Sequence, residues 1–361
     1  MLRFYMSKVI SYFSKIATLP YLCYMSDRKF LTRCLQLANY ARGNTTPNPL
    51  VGAVVVHNGR IIGEGYHHRV GEPHAEVMAI RSVKDPSLLP ESTVYCSLEP
   101  CSHFGKTPPC SHLLVEHGVQ RVVIGCLDPN PLVAGRGKAY LEQHGVIVDT
   151  YGAPEAFEAL NKVFFTNFLK KRPYIALKWA RSQDGYVDHI RESAEMPAAS
   201  ISGPLAAINT HRLRAEYDGI LISAKTLVLD RPRLNLRYFG GKAPRPIIIG
   251  SSSLKIGPKE LSAFDMPPLI VTQEVIPGFD CIQADSRDLT HWLPKLLEHG
   301  VYSVLVEGGP TLQSSFVRAN LVDEYHEYVN SENIGHGVPA IAIHPNFTIM
   351  LGSDQYNKYI G

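Results

Sequence analysis

The sequence predicts a two-domain α/β protein, each domain a layered sheet flanked by helices. Three observations lead there. Strand-like apolar runs alternate with amphipathic stretches, which is the pattern of three-layer α/β folds. The chain has 361 residues, more than one average domain. The alternation also stops at the basic, proline-terminated junction Lys170-Lys171-Arg172-Pro173 and then restarts. The expected units are an extension over 1–26, a first domain over 27–171 and a second over 172–361.

In the first domain, Phe30, Leu31, Cys34, Leu35, Leu37 and Ala38 recur at helical spacing within Arg28–Ala41. A turn-rich stretch follows, and then Val51–His57 reads as a buried strand. Asn58-Gly59 is a hairpin signal leading into a second strand, Arg60–Gly65. A helix is expected over His74–Val83, just after Pro73. Beyond it come strand Thr93–Ser97, helix Cys110–His117, strand Arg121–Cys126, helix Gly137–His144 and strand Val146–Thr150. The second domain opens with strand Tyr174–Trp179. Helix Gly203–Glu216 follows, then strands at Gly219–Ser223, Pro246–Ile249, Leu269–Thr272 and Ser303–Val306, and helix Thr311–Ala319. There is no internal repeat and no low-complexity tract.

Composition excludes several function classes. Hydrophobic residues make up 45% and charged residues 19%, as in ordinary globular proteins. The formal charge of +3 is small for this length and gives no nucleic-acid footprint, whereas a small anionic substrate is compatible. No apolar run reaches the length of a membrane span. The seven cysteines are odd in number and sparse, which argues against a disulfide framework and for a reducing cytoplasm. Residues 1–26 are basic and aromatic, but polar positions such as Ser7 and Lys15 interrupt them and no small-residue cleavage site stands out. Met25 is the expected natural start, with a targeting peptide as the alternative.

The chemistry is concentrated in His74-Ala75-Glu76, Pro100-Cys101 and Cys110. A hydrolytic zinc site needs three protein ligands and an open position for water. His74, Cys101 and Cys110 meet that count, and Glu76 is left over. A carboxylate in that place can take a proton from water and return it to a leaving amine, which is the arrangement of zinc deaminases. Cys110 is expected to open a helix, whose N-terminal field favours thiolate. The competing reading is a zinc that only staples the fold. That needs a fourth ligand, and His103 and His112 are the nearby candidates. Three ligands plus a spare Glu favour catalysis.

At these residues the chain resembles the bifunctional riboflavin-biosynthesis deaminase/reductase family, from about Asp27 onward. The motifs that carry the resemblance are T-x-P-N-P-x-V-G at Thr45–Gly52, G-E-G-Y-H at Gly63–His67, G-E-P-H-A-E at Gly71–Glu76 and L-E-P-C-S-H-F-G-K-T-P-P-C at Leu98–Cys110. The elements at Asp128–Pro131 and Val133–Gly137 match as well. The resemblance implies a cytidine-deaminase-like first domain holding one Zn2+ per chain. Its substrate would be a small phosphorylated pyrimidine, 2,5-diamino-6-(5-phosphoribosylamino)pyrimidin-4-one. Asn48, His67, His103, Lys106 and Asn130 would contact it. Lys106 is either a point charge for the phosphate or a solvated loop lysine.

The second domain lacks G-x-G-x-x-G after its first strand, so a Rossmann site is not indicated. A strand does run into Glu307-Gly308-Gly309-Pro310-Thr311 ahead of a helix, where backbone amides can meet a phosphate. The resemblance implies a dihydrofolate-reductase-like domain that uses NADPH to reduce the ribosyl side chain to ribityl. Lys178, Arg214, Leu234, Arg237 and Glu307 would hold substrate. Arg181, Thr226, Asp230, Gly309, Pro310 and Thr311 would hold NADPH. Lys178 either orients the sugar carbonyl or pairs with Glu307 or Asp184. The chain departs from the family pattern at Arg181, Ser200, Arg231 and Ile222-Ser223. These departures leave open a deaminase whose reductase half is only a scaffold. The family also implies a homo-oligomer, with no nucleic-acid or membrane partner.

Overall fold

The structure is a computed structural model, and it describes residues 27–104, 108–131, 133–250, 261–262, 264–342 and 344–360. The extension over 1–26 and Lys106 lie outside the described residues. The chain divides into two compact units, one ending at Leu169 and the other beginning at Lys170. The division falls two residues before the expected junction, because Lys170 and Arg172 both bind Asp323 of the second unit. Among the described residues no helix is long and apolar enough to cross a membrane.

The first unit runs α1 (27–39), β1 (Gly52–His57), β2 (Arg60–Tyr66), α2 (Ala75–Arg81), β3 (Thr93–Leu98), α3 (Cys110–Glu116), β4 (Arg121–Cys126), α4 (Arg136–Gln143), β5 (Ile147–Thr150), α5 (Glu155–Leu160) and α6 (Lys162–Lys170). Its sheet has the order β2-β1-β3-β4-β5. The β1–β2 and β1–β3 pairs are antiparallel, and the remaining pairs are parallel. Strands covered on both faces read as continuous apolar runs. Alternation then divides each run between two cores. Ala53, Val55, Val94 and Ile124 meet Ala79, Leu114 and Leu141 on one side. Val54, Val56, Tyr95 and Val123 meet Phe30, Leu31, Leu37 and Phe157 on the other.

The second glycine of G-E-G-Y-H is explained by close approach. A Cβ on Gly65 would lie 2.5 Å from Ala79 N and 2.5 Å from Met78 Cβ. Only a bare backbone lets α2 press this hard on β2, and α2 begins beside His74. Gly65→Ala is therefore expected to push α2 outward, at a cost of roughly 1–3 kcal/mol typical of overpacking. Urea unfolding together with zinc titration checks this; unchanged stability and zinc affinity would refute it.

The second unit carries β6 (Tyr174–Arg181), β7 (Tyr186–Asp188), α7 (Pro204–Arg214), β8 (Gly219–Ser223), α8 (Ala224–Asp230), β9 (Arg245–Ile249), β10 (Leu269–Thr272), β11 (Asp280–Gln283) and β12 (Ser303–Val306). The helix Pro310–Arg318 follows, then β13 (Glu324–Val329), β14 (Val338–Pro339), β15 (Phe347–Leu351) and β16 (Asp354–Ile360). Nine strands form one sheet in the order β11-β10-β9-β8-β12-β6-β13-β16-β15. It is parallel from β11 through β13, and β16 and β15 add on antiparallel. The sequence reading missed α5, α6 and α8, β7 and β11, the short helices Leu289–Trp292 and Lys295–Glu298, and all the strands after β12. The expected strands at Gly219–Ser223, Leu269–Thr272 and Ser303–Val306 have the bounds observed.

Candidate metal centre and cofactor cleft

Two loop-to-helix junctions meet in the first unit. His74 is the residue just before α2, and Cys110 opens α3. Cys101 follows β3 on the loop that leads to α3. The His74 Nδ1 atom lies 3.3 Å from Cys110 Sγ and 3.6 Å from Cys101 Sγ. All three donor atoms fall within 4.8 Å of one another. Zinc held tetrahedrally at normal bond lengths places nitrogen and sulfur ligands roughly 3.5–3.8 Å apart, so these residues fit the ion. Among the described residues this is the one convergent group of three or more His, Cys, Asp or Glu donors.

A fourth protein ligand is not present in that group. His103 is exposed. His112 stacks on Tyr140 at 4.0 Å, with its Nδ1 3.1 Å from the Tyr140 hydroxyl. The arrangement is that of an open site. The Cys110 N–H donates to Cys101 Sγ at 3.3 Å. A hydrogen bond from the Cys110 thiol, with His74 adding to it, holds the Cys101 thiol down to about 4, while Cys110 itself is pushed up. Glu76, on the first turn of α2, is 3% exposed, and burial raises its carboxyl to about 6.

Asn48 and His67 adjoin this centre. The His67 Nδ1–H donates to the Pro73 carbonyl at 3.2 Å, which leaves Nε2 to accept from the Asn48 amide at 3.2 Å. Burial lowers the pKa of His67 and keeps the ring neutral. It meets the His74 ring edge-on at 5.5 Å. Asn130 sits on a loop braced from below. Its N–H donates to Asp128 Oδ1 at 2.7 Å, and buried Glu99 accepts the N–H groups of Asp128, Gly135 and Lys138. A Cβ on Gly137 would lie 2.0 Å from the Pro100 carbonyl, so α4 packs directly on the residue preceding Cys101. Burial raises Asp128 to about 6, with Glu99 adding to the effect and His103 opposing it. The sequence reading assigned no task to Glu99 or Asp128, although both stand inside its motifs.

The second unit holds a cleft of about 1200 Å³ at the C-terminal ends of β6, β8 and β12. Lys178, Thr226, Asp230, Glu307, Gly309, Pro310 and Thr311 line it, as expected of substrate and cofactor contacts. Gly309 precedes the helix Pro310–Arg318, which has no side-chain cap, and a Cβ there would meet open space. Uncapped amides facing a cleft suit a phosphate. Lys225 and Arg318 also line the cleft and supply positive charge, whereas Arg191 is paired there with Asp188 and Asp230, and Arg287 with Asp285.

Other expected contacts are elsewhere. Arg214 does not line the cleft. Its Nε and one terminal nitrogen bind Glu307 at 2.8 and 2.7 Å, so it steadies a carboxylate that itself lines the cleft. Burial works to raise Glu307, but Arg214 and then Lys178 outweigh it and bring the group to about 2. Lys178 forms no ion pair with Glu307 or Asp184. Its ammonium lies 5.4 Å from the Tyr328 ring centre, and burial lowers its pKa. Asp184 instead accepts from Ser182 and from the backbone of Ile334 and Gly335. Arg181, expected at the cofactor, is bound to Glu327 at 2.7 Å and does not line the cleft. Leu234 is buried with φ 52°. Arg237 donates its N–H to His211 Nδ1 and lies 5.8 Å from the Tyr238 ring. Arg191 was invisible to motif reading; its one signal was the charged run Asp188-His189-Ile190-Arg191, which no motif covered.

Comparison with known proteins gives matches over both units. The family described as the cytidine and deoxycytidylate deaminase zinc-binding region matches residues 25–126, and the RibD C-terminal domain matches 173–348. The chain is 34% identical to riboflavin biosynthesis protein RibD of Aquifex aeolicus over 322 residues, covering 86% of this chain and 89% of that one. It is 34% identical to RibD of Escherichia coli over 354 residues, covering 92% and 95%. Among solved structures, Acinetobacter baumannii RibD aligns with TM-score 0.81 at 29% identity over 93% of this chain and 99% of that one. The Thermotoga maritima diaminohydroxyphosphoribosylaminopyrimidine deaminase/5-amino-6-(5-phosphoribosylamino)uracil reductase aligns with TM-score 0.79 at 31% identity, over 93% and 98%.

Proposed function

This chain belongs to the RibD family of bifunctional deaminase/reductases of riboflavin biosynthesis, and from that premise we propose how its residues divide the work. The first unit deaminates 2,5-diamino-6-(5-phosphoribosylamino)pyrimidin-4-one, and the second reduces the ribosyl side chain of the product with NADPH. The observation that supports this best is the convergence of His74, Cys101 and Cys110 at zinc-ligand spacing beside the spare, buried Glu76.

His74, Cys101 and Cys110 would hold one zinc ion per chain, and zinc supplies a Lewis acid that makes water a nucleophile near neutral pH. The Glu76 carboxylate accepts a proton from that water as its oxygen bonds to the amine-bearing ring carbon. Glu76 then returns the proton to the amine nitrogen, which leaves as ammonia. Asn48 and His67 orient the pyrimidine; His67 is neutral and already hydrogen-bonded on both ring nitrogens. His103, Asn130 and Lys106 complete the substrate contacts in this reading.

In the second unit, NADPH supplies a hydride when bound. Thr226, Asp230 and the uncapped amides after Gly309 hold it. Glu307, fixed by Arg214, and Lys178 face the sugar from the cleft floor. The sugar carbon that receives the hydride would give up its double bond to the neighbouring heteroatom, and Lys178, a desolvated ammonium, would donate the hydrogen bond or proton that the heteroatom takes up. The enzyme is proposed to act in the cytoplasm as a homo-oligomer, on a small phosphorylated substrate.

Treatment with a zinc chelator followed by desalting is expected to abolish ammonia release and leave NADPH oxidation on the deaminated intermediate intact. Re-addition of one equivalent of zinc restores the first activity. Ammonia release that persists in metal-free protein overturns the assignment of the first unit. Intermediate that accumulates without NADPH oxidation overturns that of the second.

A further inference from the structure

Lys178 lines the cleft, and among the described residues its ammonium enters no ion pair. Both oxygens of neighbouring Glu307 are held by Arg214. The contact the ammonium does make is with a ring. Its Nζ lies over the face of Tyr328, 5.4 Å from the centre, within reach of a cation–π attraction. Sheet register creates this contact. β13 runs parallel to β6 with His326 opposite Lys178, so Tyr328, two residues on, is the diagonal neighbour on the same face.

Tyr328 is 1% exposed and does not itself line the cleft. Its ring is fixed from two sides. The Asn209 amide donates to the hydroxyl at 2.8 Å, and Arg212 Nε donates to Asn209 Oδ1 at 3.0 Å, which sets the way that amide turns. The Tyr356 ring leans on Tyr328 at 5.1 Å, and the Tyr356 hydroxyl is 2.6 Å from His326 Nδ1. A ring held this way offers the ammonium one place to sit.

Such a face suits a proton donor. A carboxylate in the same position would attract the ammonium but also compete for its proton. The ring favours the charged form and has no lone pair that receives the proton. The other groups facing Lys178 are Glu307 after β12, Arg214 and His211 on α7, and His326 on β13. Burial works against the ammonium, Glu307 favours it and Arg214 opposes it.

We propose that Tyr328 is a positioning residue for the reductase: its π face holds the Lys178 ammonium toward the sugar and keeps it charged until it gives up its proton. The inference deepens the reading of Lys178 as the donor to the heteroatom beside the reduced carbon, and rests on it.

NADPH oxidation on the deaminated intermediate, followed in the full chain from neutral to strongly alkaline pH, tests it. A lysine that must be charged makes the rate fall as pH rises through its pKa. Tyr328→Leu removes the π face. Its alkaline limb is expected about one pH unit lower and its kcat about tenfold down, the scale of a desolvated cation–π contact. NADPH Kd should not change, and Tyr328→Phe, which keeps the face, should keep the wild-type limb. Circular dichroism melting shows whether each variant is folded. If Tyr328→Leu does not fold, successively fluorinated phenylalanines incorporated at position 328 serve instead. Fluorine drains negative charge from the face at nearly constant volume, so the limb should step downward along the series. A limb that stays in place in Tyr328→Leu or along that series overturns the inference. So does a limb displaced as far in Tyr328→Phe as in Tyr328→Leu. Lys178→Met oxidising NADPH at the wild-type rate, or a wild-type profile with no alkaline limb, overturns the reading of Lys178 itself, which is a different failure.

Discussion

Replacing Glu76 by glutamine is expected to lower ammonia release by about three orders of magnitude, within the range that positioned proton-transfer groups contribute. The substitution preserves volume at a site with 3% exposure, so packing around α2 should survive. It leaves His74, Cys101 and Cys110 untouched, so zinc content should match that of wild type. The loss should fall on kcat, with KM changing little, because an amide can occupy the carboxylate's place but cannot take up and return a proton. NADPH oxidation on the deaminated intermediate should proceed at the wild-type rate. Ammonia release within tenfold of wild type would remove Glu76 from the mechanism. Loss of zinc along with activity would make it a structural group.

The second large effect belongs to stability. Asp323→Ala should destabilise the reductase unit by about 3–5 kcal/mol, the cost of stripping one partner from a buried ion pair. Asp323 is 4% exposed and binds Arg172 at 2.6 and 3.0 Å, Lys170 at 2.7 Å and the Ile175 N–H at 2.9 Å. Without it, buried Arg172 loses the carboxylate that holds two of its nitrogens, and the first strand of the sheet loses its anchor to the strand beside it. A melting shift on the order of 10 °C in that unit's own transition is the expected reading. Burial works to raise the Asp323 carboxyl, but the bonds from Arg172 and Lys170 outweigh it and the net pKa is lowered. A carboxylate depressed in the native state adds stability that is complete above its unfolded pKa, near 3.9. That stability fades as pH falls through the lower native value. The gap between wild type and Asp323→Ala should therefore narrow below about pH 4; a gap independent of pH would show that the ion pair does not carry it.

The metal centre was legible in the sequence because its chemistry is compressed into short motifs whose spacing alone implies an open site. The parallel strands β8, β9, β10 and β12 were legible for a different reason: covered on both faces, they are apolar nearly throughout. β13 and β16 escaped because they are buried without being apolar. In β13 and β16, Glu327 accepts from Asn357 at 2.7 Å and Tyr359 at 3.2 Å, and His326 lies 2.6 Å from the Tyr356 hydroxyl. Polar side chains that satisfy one another across strands leave no hydrophobic period to read. The basic run at the junction marks the boundary, but nothing in it shows that Arg172 is buried against Asp323, 151 residues later. Arg214 and Arg181 were read as anion binders because arginine suits phosphate, and sequence could not show that carboxylates already occupy both.

The strand order of the reductase sheet also bears on how the chain acquires its shape during synthesis. β6 begins that unit, yet its two neighbours, β12 and β13, are more than 120 residues downstream. The centre of the sheet cannot assemble until nearly the whole polypeptide has left the ribosome, whereas every strand of the deaminase sheet pairs within a far shorter stretch. Native pairings this distant in sequence are slow to find, and an early strand as apolar as Tyr174–Leu177 must wait unpaired. The second half of this enzyme should thus be the slower to fold and the longer exposed to aggregation while it does so.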